Sequence, residues 1–381
     1  MSKKKKKIVI ISICIVIVLI GVLVFVLYPR NSLFNFDYAK TSNALSKSKD
    51  VIGNKYENII LPEKLDVPDV DKLCTFETDM SVFHDKKAEK KASELAEVFG
   101  LESSNVEHDE YDGSYFVAND KGVVSISSQV FGISYVTDEH YSAGEQTIVA
   151  EYDLKKDDIS SVSYNIGGEE YKAEDAVKFA ESFINEKIMP IIECSDGCKP
   201  LKLYVTKEAD GRNTYLLYFS HTVDGVEVEC VDNSTVSPDS EGMRASTMIL
   251  AMYEKDTVNY FWNTRYFNLE GEKKEVQKII TLESALEYLE ELLAEYKKYE
   301  VSEISLKYSA HIDDALNDII SFRPYWTFKV LEKSATGKCP LNQKNLLPTV
   351  IYVDAIDGST YCMDYSKDTV DKMVFKNVDK D

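Results

Sequence analysis

An uninterrupted apolar run near the start of the chain constrains its fold more than any other feature. Residues 8–28 carry no charged side chain, and five lysines, Lys3–Lys7, stand directly before them. At 1.5 Å per residue, a helix of this length spans a hydrocarbon core of ~30 Å. The run therefore predicts a membrane-spanning helix over 8–28, and the positive-inside rule predicts that residues 1–7 form a basic cytoplasmic tail.

A cleaved signal peptide is the alternative interpretation of this run. The apolar stretch of a signal peptide is normally ~7–15 residues long and ends at a cleavage site with small side chains. Residues 24–29 read Val-Phe-Val-Leu-Tyr-Pro and contain no such site. No later segment is long and apolar enough to cross again. We therefore expect a single-pass anchor in the lipid bilayer of the cell membrane, with the domains after it extracellular.

The charge of the remaining chain excludes nucleic acid as a main partner. The 381 residues include 44 basic and 65 acidic ones, and six of the basic residues lie within residues 1–30. The rest has 38 basic residues against 65 acidic ones, a formal charge of −27. Proteins that bind nucleic acid neutralise its phosphates with clusters of Lys and Arg, and no such cluster follows residue 30.

Six cysteines lie in the range predicted to be extracellular, where disulfides persist. Cys194 and Cys198 flank an Asp-Gly pair. This pair supports a tight turn that brings the two sulfurs together, so we predict a disulfide between them. A zinc site is disfavoured, because it requires four ligands and neither a second close cysteine pair nor a histidine lies nearby.

The other four cysteines give weaker pairings. Cys339 and Cys362 flank a predicted antiparallel strand pair and form the second disulfide candidate. This choice leaves Cys74 and Cys230 as the remaining pair.

One helical pattern occurs three times. Apolar residues recur every three or four positions in the ranges 88–99, 173–184 and 282–293, which is typical of an amphipathic helix. Lys91 is the one exception within the first stripe, and Thr281 is the expected N-cap of the third helix.

Short runs rich in Tyr, Val, Ile and Phe follow each helix and predict antiparallel strands, with Asp-Gly pairs as hairpin turns. One helix packed on such a sheet is a stable two-layer arrangement. The predicted fold class is α+β, an N-terminal transmembrane helix followed by tandem modules of one helix packed on an antiparallel sheet. The predicted strands are 75–80, 114–118, 123–128, 131–137, 201–206, 214–220, 226–230, 247–253, 258–267, 304–308, 325–330, 349–354 and 360–365.

These elements divide the chain into seven predicted ranges. Residues 31–72 are polar, contain two prolines and show no sustained period, which suits a stalk. Three aspartates within 66–71 suggest calcium, but the glycine and distal glutamate of a calcium loop are missing. The predicted ranges are 1–7 cytoplasmic tail, 8–28 transmembrane helix, 29–72 stalk, 73–150 first module, 151–270 second module, 271–368 third module and 369–381 tail.

No motif for catalysis, for a cofactor or for a metal is present. The chain lacks Gly-x-Ser-x-Gly, His-Glu-x-x-His and the glycine-rich phosphate loops, and its five histidines are scattered. We therefore expect a protein that is not an enzyme and has no catalytic, cofactor-binding or metal-binding residues. A cell-wall hydrolase with an unrecognised site is the remaining enzymatic alternative.

Aromatic residues are concentrated in the predicted strands. Tyr and Trp supply a large contact area at low entropic cost where a sheet face binds a protein. They also close helix-on-sheet cores, but alternate residues of a strand point to opposite faces, so some aromatic side chains must point away from the helix. The candidate partner-binding residues are Tyr218, Tyr260, Trp262, Tyr325 and Trp326.

The C-terminal unit has a distinctive order of elements. A helix over 282–299 is followed by Arg-Pro-Tyr-Trp-Thr-Phe-Lys-Val at 323–330 and Ile-Tyr-Val-Asp-Ala-Ile-Asp-Gly at 351–358. This order resembles PepSY-like domains. The whole layout is similar to YycH and YycI, the membrane-anchored accessory regulators of Gram-positive cell-wall sensor kinases. Segments 215–219 and 223–228 match that layout more loosely.

The resemblance implies a function in binding. Such families bind and restrain partner proteins and have no catalytic residues to carry over. The implied partner is another protein of the cell envelope, such as a sensor kinase. A PepSY-style inhibitor of an extracytoplasmic protease is the alternative, with an exposed sheet edge or an aromatic face occluding the enzyme.

Overall fold

The computed structural model describes residues 34–53, 55–79, 85–101, 105–111, 113–127, 132–138, 140, 147–192, 197–229, 243–244, 247–264, 272–293, 299–314, 319–332, 349–363 and 375–377. The helices are α1 (Thr41–Ser48), α2 (Asp85–Val98), α3 (Ala173–Phe183) and α4 (Leu282–Leu292), with a 3₁₀ turn at Lys49–Gly53 and a π turn at Ile184–Ile188. The strands are β1 (Tyr38–Lys40), β2 (Ile59–Ile60), β3 (Cys74–Asp79), β4 (Glu107–His108), β5 (Tyr115–Asn119), β6 (Gly122–Ser127), β7 (Gly132–Val136), β8 (Thr147–Asp153), β9 (Ser163–Ile166), β10 (Glu169–Lys172), β11 (Cys198–Lys207), β12 (Asn213–Val223), β13 (Val226–Glu227), β14 (Met243–Arg244), β15 (Thr247–Met252), β16 (Tyr260–Thr264), β17 (Lys273–Glu275), β18 (Lys278–Ile280), β19 (Tyr299–Asp314), β20 (Ile319–Glu332), β21 (Thr349–Asp354), β22 (Thr360–Met363) and β23 (Phe375–Asn377).

Few helices and large antiparallel sheets make the described part of the molecule α+β, as predicted. No helix within it is long and apolar enough to cross a membrane. The predicted tail 1–7 and the predicted span 8–28 lie outside the described residues.

The larger sheet contains twelve of the described strands. Nine of them lie side by side in the order β8, β11, β12, β15, β16, β7, β6, β5 and β4, and each of these pairings is antiparallel. The hairpin β9–β10 joins β12 at a single bridge, and β13 pairs with the end of β12. The ranges 73–150 and 151–270, predicted as two modules, therefore share one continuous sheet through the pairing of β7 with β16.

The second sheet is built around a long hairpin of β19 and β20. On the far side of β20, β21 pairs with residues 325–330 and β3 pairs with residues 319–322. Strand β3 belongs to the range predicted as the first module, so it crosses over to the C-terminal sheet instead of pairing beside α2. Strands β22 and β23 continue this sheet beyond β21.

The segment preceding β3, predicted as part of a stalk, packs against the C-terminal unit. Strand β1 pairs with β18, β2 pairs with β19, and the backbone N–H of Asp66 donates to the carbonyl of Ile304 at 2.8 Å. The ring of Phe36 lies 5.1 Å from that of Tyr288 on α4. This polar segment, which has no regular hydrophobic period, therefore packs on the C-terminal unit through short strands and single side chains.

Helices α2 and α3 both pack on the larger sheet, α2 against β5 and β6 and α3 against β11 and β12. Phe99 follows α2 and stacks on Tyr135 of β7 at 4.0 Å between ring centres. Lys91 is buried on the apolar stripe of α2, where its ammonium donates to the carbonyl of Ile191 at 2.6 Å. Thr281 caps α4 by accepting from the N–H of Ser284, which confirms the predicted cap.

Candidate functional site

One face of the larger sheet is buried over seven of its strands. A row of side chains crosses seven strands on this face, and each of them is at most 5% exposed. The row continues from strand to strand by direct pairing. Its members are Leu203, Leu217, Leu250, Phe261, Tyr135, Val124 and Val117. This face is the hydrophobic core beneath α2 and α3.

The opposite side chains of the same strands form two parallel rows, which we call the open face. Within these two rows Ala251 is buried and the other residues are partly or fully exposed. Thr214, Ser220 and Tyr253 point the same way beside the rows and are buried. The first row is Glu151, Tyr204, Leu216, Ala251, Tyr260, Val136, Val123 and Ala118, and the second is Asp153, Lys202, Tyr218, Ile249, Trp262, Ser134, Ser125, Phe116 and Glu107. A sheet face exposed to water normally carries polar side chains, so this aromatic and aliphatic content is unusual.

Ring contacts organise the middle of the open face. Tyr204 and Tyr218 meet edge to face at 5.3 Å, and Tyr260 and Trp262 do so at 6.5 Å. The Tyr204 hydroxyl donates to a carboxylate oxygen of Glu151 at 3.2 Å. Such contacts hold large side chains in place before any partner arrives, which reduces the entropy lost on binding.

His140 extends the aromatic surface beside Tyr260. Its imidazole stacks on the Tyr260 ring at 4.1 Å, and its Nδ1 lies 2.9 Å from the hydroxyl of Tyr253. Burial lowers the pKa of His140 below its usual value, so the ring is neutral at pH 7. The stacked pair therefore presents an uncharged surface.

The structure separates the five predicted partner-binding aromatics into two groups. Tyr218, Tyr260 and Trp262 lie together on the open face and are partly exposed. Tyr325 and Trp326 are 1% and 0% exposed, and the Trp326 indole N–H donates to the carbonyl of Ile280 at 2.8 Å. These two residues belong to the core of the C-terminal unit, because their strand is covered on both faces.

The open face also contains residues that the sequence did not single out. Tyr204 and Ile249 lie in predicted strands, and alternation with buried neighbours would have placed each on the side away from the helix. Glu151 and Asp153 belong to β8, a strand missed because Thr-Ile-Val-Ala-Glu-Tyr-Asp alternates poorly. No local signal identifies Phe116, which joins the row only through the order of the strands.

Strand β8 forms an edge of the larger sheet. Among the described strands it pairs only with β11. Ile148 and Val149 are 59% and 50% exposed. Val149 is the extra residue of a bulge, because Ala150 and Ile148 oppose consecutive residues of β11. Among the described residues, the stretch 150–152 has β11 on one side and no strand on the other, while the N–H and C=O of Asp153 are bonded within the following turn. A strand edge of this kind is a surface on which another strand can add.

A buried ion cluster lies where the two sheets meet. Lys307 of β19 is 6% exposed at its side chain, and its ammonium lies 3.3 Å from Glu227, 3.5 Å from Glu303 and 3.7 Å from Glu229. Burial alone would lower the pKa of Lys307, but these carboxylates outweigh it and hold the pKa well above the usual value. Lys307 is therefore charged.

The carboxylates of this cluster differ from one another. Burial raises the pKa of Glu229, and the nearby lysines offset this only in part. Burial alone would raise the pKa of Glu303 as well, but the nearby Lys307 and Lys329 outweigh it and lower the pKa to about 2. Lys155 adds ion pairs to Asp66 at 2.6 Å and Glu227 at 2.5 Å. The cluster thus joins the segment before β3 to both sheets.

The cysteine predictions fall mostly outside the described side chains. Cys74 is a buried thiol whose Sγ lies 3.3 Å from the Tyr308 hydroxyl, and burial raises its pKa. Cys198 is buried at the start of β11. Cys194, Cys230 and Cys339 lie outside the described residues, and Cys362 lies on β22 with its side chain outside them. The predicted pairings therefore stay predictions.

Within the described ranges no three His, Cys, Asp or Glu residues are grouped so that they could hold a metal ion.

Comparison with known proteins shows a fold and not a family. No protein-family model matches the sequence, and no curated protein matches it. The structure of an uncharacterized protein from Eubacterium rectale ATCC 33656 aligns with a TM-score of 0.54 and 16% identity, over 84% of this chain and 97% of that chain. At that identity the likeness concerns the fold alone.

A second solved structure is more distant. The Bacillus megaterium YpeB C-terminal domain aligns with a TM-score of 0.27 and 14% identity, over 73% of this chain and 97% of that chain. A TM-score this low supports no argument. The resemblance to PepSY-like domains and to YycH and YycI therefore stays a prediction from the sequence.

Proposed function

We propose that this chain is a membrane-anchored binding or regulatory protein that is not an enzyme. Residues 8–28 hold it in the membrane, residues 1–7 stay in the cytoplasm, and helix-on-sheet modules lie outside the cell. Its partner is another envelope protein, such as a sensor kinase. The five lysines directly before the apolar run support this orientation.

The open face is the observation that carries the proposal. Its aromatic and aliphatic side chains are partly exposed over adjacent strands, whereas the other face of the same strands is buried. A monomeric soluble protein rarely exposes a contiguous apolar patch without a use for it, and Tyr and Trp are the residues that dominate binding energy at interfaces. A protein partner would complete the burial of this face.

A PepSY-style inhibitor of an extracytoplasmic protease is the second candidate, and the edge strand β8 favours it. An inhibitor can add a strand to the extended backbone of an enzyme or of its substrate. The exposed Ile148 and Val149 stand beside the stretch 150–152, so they would anchor such a pairing.

Crosslinking in the native membrane tests the proposal. The variant Tyr218→Ser/Trp262→Ser removes two rings from the open face, and Tyr38→Ser/Ile60→Ser removes two exposed apolar side chains from other sheets. We expect the first variant to lose its main crosslinked protein at least several-fold while its circular dichroism is unchanged, and the control to retain it. A sensor kinase as the lost partner supports regulation, and a protease supports inhibition. Equal crosslinking by both variants would contradict the proposal.

Protease added to intact cells tests the orientation. We expect the acidic bulk of the chain to be degraded while a short N-terminal fragment stays protected. If the bulk survives intact, or if the mature chain is secreted without residues 8–28, the proposed topology is wrong.

A further inference from the structure

The open face is much longer across the strands than along them. It runs from β8 to β4 over nine adjacent strands, which at ~4.8 Å per strand gives a length of about 38 Å. Its two rows come from alternate residues, so they lie only about 7 Å apart along each strand. The surface is therefore a narrow strip suited to one elongated element.

Charge is distributed unevenly along the strip. Its middle is aromatic and aliphatic, and carboxylates stand at both ends, Glu151 and Asp153 on β8 and Glu107 on β4. At the β8 end Lys202 pairs with Glu151 at 3.4 Å and Lys156 pairs with Asp153 at 3.0 Å, so two cations already balance these two carboxylates. The chain after residue 30 carries a formal charge of −27. A complementary element is apolar in the middle and basic at the end that meets Glu107.

Backbone hydrogen bonding decides the form of that element. The seven inner strands are paired on both sides, so the strip offers no free N–H or C=O groups. An extended segment lying over it would leave its own backbone groups unpaired as it became buried, whereas a helix satisfies its own. A helix about 10 Å wide also covers two rows. The other face of this sheet already packs helices α2 and α3.

We propose that the open face binds an amphipathic α-helix of the partner protein that lies across the strands. At 1.5 Å per residue, a helix of about 25 residues spans the strip. Its apolar stripe contacts Tyr218, Ile249 and Trp262, and a Lys or Arg side chain near the end that lies over β4 meets Glu107. This inference rests on the proposed function and specifies the partner element that the same site recognises.

Photo-crosslinking with residue-level mapping tests this geometry on the full chain in its native membrane. Benzoylphenylalanine replaces one aromatic residue at a time, at Tyr218, Trp262 or Phe116, and Tyr38 is the control on a different sheet. Tyr218 and Trp262 are two strands apart, and Trp262 and Phe116 are three strands apart. If the partner segment is a helix, the partner residues crosslinked at Tyr218 and Trp262 should be about 6 positions apart in its sequence, and those crosslinked at Trp262 and Phe116 about 10. If the partner segment is an extended chain, the two spacings should be about 3 and about 4 positions.

The possible results separate the two proposals. Adducts in one segment at the helical spacing support the inference. Adducts at the extended spacing, in unrelated segments, or on lipid or glycan overturn the helix. If no site on the open face exceeds the yield at Tyr38, both the helix and the proposed use of this face are wrong.

A charge variant gives a second measurement. The change Glu107→Gln neutralises the carboxylate at the β4 end of the strip, and Asp69→Asn neutralises a carboxylate that is 97% exposed elsewhere. We expect Glu107→Gln to lower the adduct yield from Trp262 several-fold at low salt, and Asp69→Asn to leave it unchanged. An unchanged yield in Glu107→Gln would show that the helix has no basic end over β4.

Discussion

Lys307 illustrates how much one buried side chain can contribute to this fold. Its ammonium is enclosed by Glu227, Glu229 and Glu303, so replacing it leaves buried carboxylates without their cation. We expect Lys307→Met to destabilise the protein by about 3–5 kcal/mol, because breaking a buried ion pair strands the other charge. The midpoint of urea unfolding measures this change.

A surface lysine provides the control for that variant. Lys178 on α3 pairs with Glu174 one turn away, but its side chain is 67% exposed. Water and salt screen such a pair, so Lys178→Met should hardly move the midpoint. Equal shifts in the two variants would mean that the cluster does not act as a buried unit.

His221 gives the fold a defined dependence on pH. The ring is fully buried on β12, and burial lowers its pKa to about 4. An unfolded histidine has a pKa near 6.5, so between these values the unfolded chain binds more protons and stability falls as pH falls. We expect His221 to account for about 2 kcal/mol of lost stability between pH 7.5 and pH 5.

The variant His221→Gln checks the assignment. It keeps a polar side chain of similar size beside Asn263 but has no proton to gain. Its unfolding midpoint should change less between pH 7.5 and pH 5 than that of the unmodified protein. The same slope in both proteins would show that other groups set the dependence.

Single residues also mark the limit of prediction from sequence. Trp262 and Trp326 both lie in aromatic strand segments, and the sequence supports a binding role or a core role for each. Trp262 lies on the open face, while Trp326 is fully buried. The difference depends on what covers each face of each strand, and that is decided by distant parts of the chain.

Among the elements, the turn between β21 and β22 connects distant parts of the molecule. Gly358 has φ +77°, and a Cβ added there would overlap the ring of Phe36. We expect Gly358→Ala to destabilise the protein by about 1–3 kcal/mol, from backbone strain and from the displaced ring.

Gly168 separates these two causes. It lies in the β9–β10 turn with φ +90°, and an added Cβ would meet nothing within 4 Å. Gly168→Ala therefore reports backbone strain alone, and it should lower the unfolding midpoint less than Gly358→Ala does. If the two effects are equal, Phe36 does not pack tightly against the turn.

Most elements could be predicted where the local pattern is strong. The three amphipathic stripes became α2, α3 and α4, and the Asp-Gly pairs at 210–211, 224–225 and 357–358 lie in turns between strands. Helix α1 and strands β1 and β2 were missed, because each is short and is stabilised by the C-terminal unit. Propensity is a weak guide for such segments.

At the scale of the whole molecule, the segment from Phe34 to β3 packs against the C-terminal unit and is not a free stalk. Its backbone N–H groups at Thr41 and Asp66 donate to the carbonyls of Gln277 and Ile304. We expect these two amides of the full chain to exchange with solvent about a hundredfold or more slowly than in an unstructured peptide. If these amides exchange as fast as those of an unstructured peptide, the segment does not pack on the C-terminal unit and the prediction of a free stalk is right.

The arrangement of the sheets could not be predicted from the sequence. Strand β3 pairs with β20, more than 200 residues away, and β7 pairs with β16 across the expected boundary between two modules. Local pattern specifies that a strand forms but not which strand it joins. The open face exists only because long-range pairings such as that of β7 with β16 align alternate residues of nine strands.

Radical footprinting of the two tryptophans tests the open face most directly. The chain has only Trp262 and Trp326, so one reports on the open face and the other on the core. In native membranes we expect Trp262 to be oxidised several-fold more slowly than in the purified full chain, while Trp326 stays slow and Tyr38 stays fast in both. Equal oxidation of Trp262 in both samples would contradict the account, because it would show that no partner covers this face.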